Sequence, residues 1–196
     1  GRKLGTASFA MNMLDEGTRK RDATAIATRM EELGAQIGVY NSLDVSGATL
    51  SALSAQLDGS LELFADLVRN PKFDAAEMNR VKGQWLAQIA QEKTSPNALG
   101  MRVLPPLLYG EGHAYAIPLT GSGTEASIQS LTPEDLALFH ADFVRANNAR
   151  IIVVGDTTLP AITAQLDKHF GDWTTPASAA PTVAIPDAPL PAKPRV

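Results

Sequence analysis

Cysteine is absent from all 196 residues, which excludes disulfides, thiolate zinc sites and cysteine nucleophiles while leaving the redox compartment open. No run approaches the ~18 consecutive apolar residues that a membrane span requires, and Gly1-Arg2-Lys3-Leu4-Gly5 is not followed by a signal-peptide core. The 17 basic and 21 acidic side chains are spread along the chain for a net charge of -4, so no Lys/Arg cluster is dense enough to track a phosphate backbone. Nucleic acid is therefore not an expected partner. A Gly-x-Ser-x-Gly elbow is missing, as are the Lys-Ser/Thr ending of a phosphate loop and the dinucleotide glycine pattern. None of the three histidines, His113, His140 and His169, stands four residues from another or beside a Glu in a metal-binding helical pattern.

What is present is ordinary globular composition, 44% hydrophobic and 19% charged, enough for a sizeable core. Thr6 to Leu14 reads as a helix with Gly17 close behind, and Ile26, Met30 and Leu33 give a second helix stopped at Gly34. The period then changes. Ile37 with Val39, and Ala48 with Leu50, alternate about Asn41-Ser42-Leu43-Asp44, which predicts a hairpin whose Gly38 and Gly47 weaken it or mark bulges. Leu57, Leu61, Phe64, Ala65 and Val68 form a third helical stripe ended by Asn70-Pro71, and Asp74 caps a long helix to about Lys93.

Pro96 opens a further helix that Pro105-Pro106 is expected to kink or break. Gly110 to Gly123 reads as loop, and Thr132-Pro133-Glu134-Asp135 as a helix start. The β-branched run in "ARIIVVGD" predicts a buried central strand, and Leu159 to Phe170 a closing helix ending at Gly171. A hairpin, intervening helices and a late strand predict an α+β fold, an antiparallel-rich mixed sheet with several helices on one face. The Pro/Ala-rich tail from Pro176 to Val196 is not expected to fold, and the chain, which opens without a methionine, reads as a piece of something longer.

Individually, the candidate groups favour packing over chemistry. The histidines read as capping or surface groups, "TGSGTEAS" (120–127) as a flexible loop, Asp15-Glu16 and Glu31-Glu32 as solvated, and Trp85 and Trp173 as packed.

The order of the phrases "EGT", "RMEELGAQIGVYNSLDVSGATLSAL", "LELFADLVRNPKFDAAEMNRVK", "GHAYAIPLTGS", "SLTPEDLALFHADFVRANNARIIVVGD" and "HFGDW" nevertheless resembles the pitrilysin/insulinase family of zinc peptidases, over nearly everything from Thr6 to Trp173. In active members the first helix carries His-x-x-Glu-His just before a Gly-Thr turn. With Gly17-Thr18 laid on that turn, the resemblance puts Ser8 and Asn12 at the histidines, Met11 at the glutamate and Gln88 at the third ligand. All four are degenerate, and Ser, Asn and Gln cannot supply the imidazole or carboxylate field that zinc takes.

The resemblance thus implies a pitrilysin-like domain over 1–173 lacking its opening strands, followed by a linker over 174–196 toward another domain. It implies a non-catalytic, substrate-enclosing domain of a zinc metalloendopeptidase, with no cofactor of its own and zinc in a catalytic partner half, on the same chain or a paired subunit. A peptide would be the substrate. The family's substrate-gripping Arg/Tyr pair would lie beyond Val196, and a bacterial periplasmic location is favoured. The alternative is a structural or assembly subunit of the same fold with no part in proteolysis.

Overall fold

A computed structural model describes residues 3–182 and 184–188. Eight helices and one hairpin follow in the order α1 (Thr6–Asn12), α2 (Ala23–Leu33), β1 (Gln36–Asn41), β2 (Ser46–Ser51), α3 (Leu57–Arg69), α4 (Ala75–Thr94), α5 (Pro96–Tyr109), α6 (Glu125–Gln129), α7 (Pro133–Phe143) and α8 (Leu159–Phe170). The fold is α+β and rich in helix.

Local chemistry sets most boundaries. The Asp22 carboxylate accepts from the Ala25 amide to start α2, and Gly34 ends it at φ 59, a left-handed conformation open to glycine. Asp74 accepts from the Ala76 amide at the head of α4. Thr132 and Asp135 exchange side-chain and backbone bonds in a capping box on α7.

The expected hairpin forms and is antiparallel, and its register sets Ile37 opposite Leu50 and Val39 opposite Ala48. Its ladder runs unbroken from Gln36–Ser51 to Asn41–Ser46, so Gly38 and Gly47 mark no bulge. They leave room across the strands instead, since a Cβ on Gly47 would lie 2.3 Å from the Tyr40 ring and one on Gly38 3.1 Å from Thr49 Oγ1.

Two further expectations fail for identifiable reasons. Helix α5 runs unbroken through Pro105 and Pro106. Proline 105 cannot donate to the carbonyl four residues back, but the Leu119 amide takes that Met101 carbonyl at 2.9 Å, so the vacancy is filled from the following loop. The run Ile151–Val154 is not a buried central strand: among the described residues the sheet has two strands, and these four side chains are 44 to 95% exposed. β-Branched composition favours an extended chain, but a strand also needs a neighbour to take its backbone groups, and none of the described residues pairs with this run.

Two apolar clusters organise the interior. Helix α1 contributes Phe9, Ala10 and Met11, with Met13 and Leu14 just beyond, to a core shared with Met78, Val81 and Ile89 of α4, Ile128 of α6 and Leu136 and Phe139 of α7. The second joins Ile26 and Leu33 of α2 to Leu63 and Leu67 of α3. The hairpin bridges them with one face, Val39 packing on the first and Ile37 and Leu50 on the second.

His140 of α7 is neither a cap nor a surface group. It is half-buried, edge-on to Phe73, with Nε2 2.7 Å from the Val68 carbonyl. Burial pushes its pKa below the usual histidine range, with Arg19 adding to the shift and the bond to Val68 opposing it. A histidine held low when folded binds fewer protons than when unfolded, so its stabilising contribution is complete above the ordinary value near ~6.5 and is lost as pH falls below it. The midpoint of thermal unfolding should therefore drop between pH 7.5 and 5.5, and His140→Gln, which keeps a donor without titrating, should flatten that drop.

Candidate functional site

Helix α1 is a single buried element whose polar residues emerge on one side. Phe9 is fully buried and meets Trp85 edge-on at 5.4 Å, and Met11 is 5% exposed. Ser8 is half-buried, while Asn12 and, on α4, Gln88 are exposed. Asn41 at the end of β1 donates from Nδ2 to Ser8 Oγ at 2.9 Å and accepts from the Ser46 hydroxyl. The Ser8 hydroxyl is thus committed to the hairpin.

Both ends of this helix are held from elsewhere. At its C-terminal side the Thr18 hydroxyl donates to buried Asp66 of α3 at 2.8 Å and accepts from the Lys20 and Arg21 amides. Arg21 pairs with the same carboxylate at 2.9 Å and with Glu62. Glu16, expected to be solvated, pairs with Arg80 of α4.

At the N-terminal side, Gly5 and the loop 118–124 are in contact. A Cβ on Gly5 would stand 2.9 Å from the Ser122 carbonyl, and one on Gly123 would stand 2.5 Å from the Leu4 carbonyl. Gly5 and Gly123 also have φ of 84 and 74, so two backbones approach where no side chain fits.

That loop is not the flexible segment the glycines suggest. Ser122 is 1% exposed, and its neighbours form a polar cluster between α4 and α5. Arg102 Nη1 donates to Glu92 Oε2 at 2.7 Å and to Ser122 Oγ at 2.7 Å, while Nη2 donates to the Gly123 carbonyl at 2.7 Å. Ser122 Oγ and Thr120 Oγ1 donate to the same Glu92 oxygen at 2.7 and 3.2 Å. The Trp85 indole N–H donates to the Ser122 carbonyl at 2.9 Å. The Glu92 and Arg102 side chains are 11% and 8% exposed. The sequence carries one usable signal for this pair: Glu92 and Arg102 flank the Ser95-Pro96 break between two helices, where opposite charges can meet.

Zinc does not fit Ser8, Met11, Asn12 and Gln88. A structural or catalytic zinc takes imidazole, thiolate or carboxylate, whereas here one hydroxyl is bonded to Asn41, one thioether lies in the core and two neutral amides face solvent. Among the described residues no three His, Cys, Asp or Glu side chains gather to hold a metal. Two clefts, of about 280 and 80 Å³, lie along the hairpin, and neither is lined by any of the four.

The family model for insulinase (peptidase family M16) matches residues 2–114. The chain belongs to this family. The model for the peptidase M16 inactive domain matches residues 130–196. The beta subunit of the human mitochondrial-processing peptidase is 24% identical over 168 residues, covering 86% of this chain and 34% of that protein. A Helicobacter pylori protein named non-peptidase homolog YmxG is 26% identical over 156 residues, covering 79% and 35%. The chain thus spans about a third of the length of these curated relatives. The crystal structure of a peptidase M16 inactive domain from Pseudomonas fluorescens superposes with a TM-score of 0.85 at 33% identity, covering 96% of this chain and 45% of that one.

The close approach at Gly123 makes a direct prediction. Gly123→Ala would put a methyl against the Leu4 carbonyl at a left-handed φ, so it should cost about 2 kcal/mol or more. Urea unfolding read by Trp85 and Trp173 fluorescence should show a lower midpoint with an unchanged slope.

Proposed function

We propose that this M16-family domain is the non-catalytic, substrate-enclosing part of a zinc metalloendopeptidase, working with a catalytic half that carries the zinc. The observation that carries the reading is α1. It is a well-packed helix followed by the Gly17–Thr18 turn, and Ser8, Met11 and Asn12, with Gln88 on α4, supply no imidazole or carboxylate. The match of the inactive-domain model to 130–196 supports it, as does a relative whose name is that of a non-peptidase homolog.

In this reading residues 1–173 form the domain and 174–196 link it to the next. Opening strands, which the family resemblance implies, would take the backbone groups of Ile151–Val154. Among the described residues no helix is long and apolar enough to cross a membrane. A bacterial periplasmic setting is part of the proposal through the family resemblance.

The contribution of such a half to hydrolysis is positioning of the peptide, a term that can be worth several kcal/mol without contact with the metal. Removing it from the full assembly should cripple peptide hydrolysis by the catalytic half while zinc occupancy there stays near one. A catalytic half that is fully active alone would instead favour a structural or assembly subunit. For this chain itself, metal analysis after dialysis should give far less than one zinc per chain. Stoichiometric zinc, with peptide cleavage abolished by a chelator and by Asn12→Ala, would overturn the proposal.

A further inference from the structure

Helix α1 has only seven residues, no side-chain cap at its N-terminus and no acidic residue in its first turn. An isolated helix of this length does not persist in water. Its N-terminal turn is positioned by loop 118–124, through the Gly5–Ser122 and Gly123–Leu4 backbone contacts and through Ser8, whose Oγ would lie 2.8 Å from a Cβ on Gly121. Loop 118–124 has no regular structure of its own, and three of its residues, Thr120, Ser122 and Gly123, are bonded to Glu92 or Arg102. A fourth, Leu119, donates to the Met101 carbonyl of α5.

We infer that the Glu92–Arg102 ion pair is a metal-free clamp that holds α1 against α4: it fixes loop 118–124 as a wedge, and the wedge fixes the head of α1. The Trp85 indole adds a second fastening, because it donates to the Ser122 carbonyl while its ring packs on Phe9 of α1. One carboxylate oxygen of Glu92 accepts from Arg102, Ser122 and Thr120 together. Removing Arg102 leaves the Glu92 carboxylate in a largely buried site with hydroxyl partners alone, and removing Glu92 leaves the Arg102 guanidinium with only the Ser122 hydroxyl and the Gly123 carbonyl, so the effect should reach the loop at once. The other end of α1 hangs on Thr18 and Asp66, which share no residue with this cluster.

The polar cluster fixes the head of α1 to α4 alongside their shared apolar core, and chelators leave it unchanged. It also separates two parts of the molecule. The region of α1 and loop 118–124 opens when the clamp is lost, whereas α2, α3 and α8, which pack around the second core and Phe64–Phe170, do not.

Hydrogen exchange on the intact chain tests this with Glu92→Gln, Arg102→Met and the double variant, with and without a chelator. Amides of residues 6–13 and 119–124 should exchange at least about tenfold faster in each single variant, with α2 and α3 unchanged, and the double variant should lose less than the two single losses added together. Trp85→Phe, which keeps the ring and deletes only the indole donor, should accelerate the same amides by a smaller factor, and it serves if the charge variants do not fold. Acceleration that is uniform over the chain, or strictly additive losses, or a chelator effect on the unmodified chain equal to that of Arg102→Met, would overturn the clamp. Zinc bound to the chain without any chelator effect on these amides would refute the proposed lack of metal and leave the clamp standing.

Discussion

Seven helical residues cannot hold themselves together, and the placement of α1 follows from that constraint. Its stability comes from burying Phe9, Ala10, Met11 and Met13 against α4, α6 and α7, and from being held beyond both ends. Asp66 reaches the Thr18 turn from α3, and loop 118–124 meets Gly5 from the opposite side. The helix therefore belongs to the first apolar cluster, and the hairpin joins that cluster to the second. Its outward residues, Ser8 and Asn12, are placed by the surrounding fold whatever their own chemistry.

This separates architecture from reactivity. The packing of Phe9 on Trp85, the Gly-Thr turn and the long α4 make a frame that leaves Asn12 and Gln88 exposed and Ser8 half-buried, with Met11 in the core. In this chain they carry a hydroxyl, a thioether and two amides. The Met11 side chain is part of the core. Ser8 is part of a small hydrogen-bonded group with Asn41 and Ser46 that fastens the helix to the hairpin. The fold depends on the buried stripe of α1 rather than on the chemistry of its exposed positions.

Much of the fold was legible because its causes are local. Asp22 with Gly34, Asp74, and Thr132 with Asp135 are caps whose partners lie within a few residues. The hairpin register follows from the alternation of Ile37, Val39, Ala48 and Leu50, since a slip of one residue would turn those side chains away from both cores. The misreadings share a different cause. The role of Pro105 depended on an amide eighteen residues from Met101, that of Ser122 on charges twenty and thirty residues earlier, and that of His140 on a carbonyl in α3. None of these partners can be found from spacing.

The sequence by itself determined most of the helices, the existence of the hairpin, the residue types at Ser8, Met11, Asn12 and Gln88, and the family resemblance. Periodicity, capping and side-chain chemistry are properties of neighbouring residues, and they survive reading in one dimension. Only the tertiary structure decided that Glu92 and Arg102 meet beneath Ser122, that an apparently loose glycine loop is a packed wedge, and that Ile151–Val154 lies open. Burial and pairing of polar groups depend on which distant segments come together. Those encounters are set by the packing of whole elements, so no local pattern announces them.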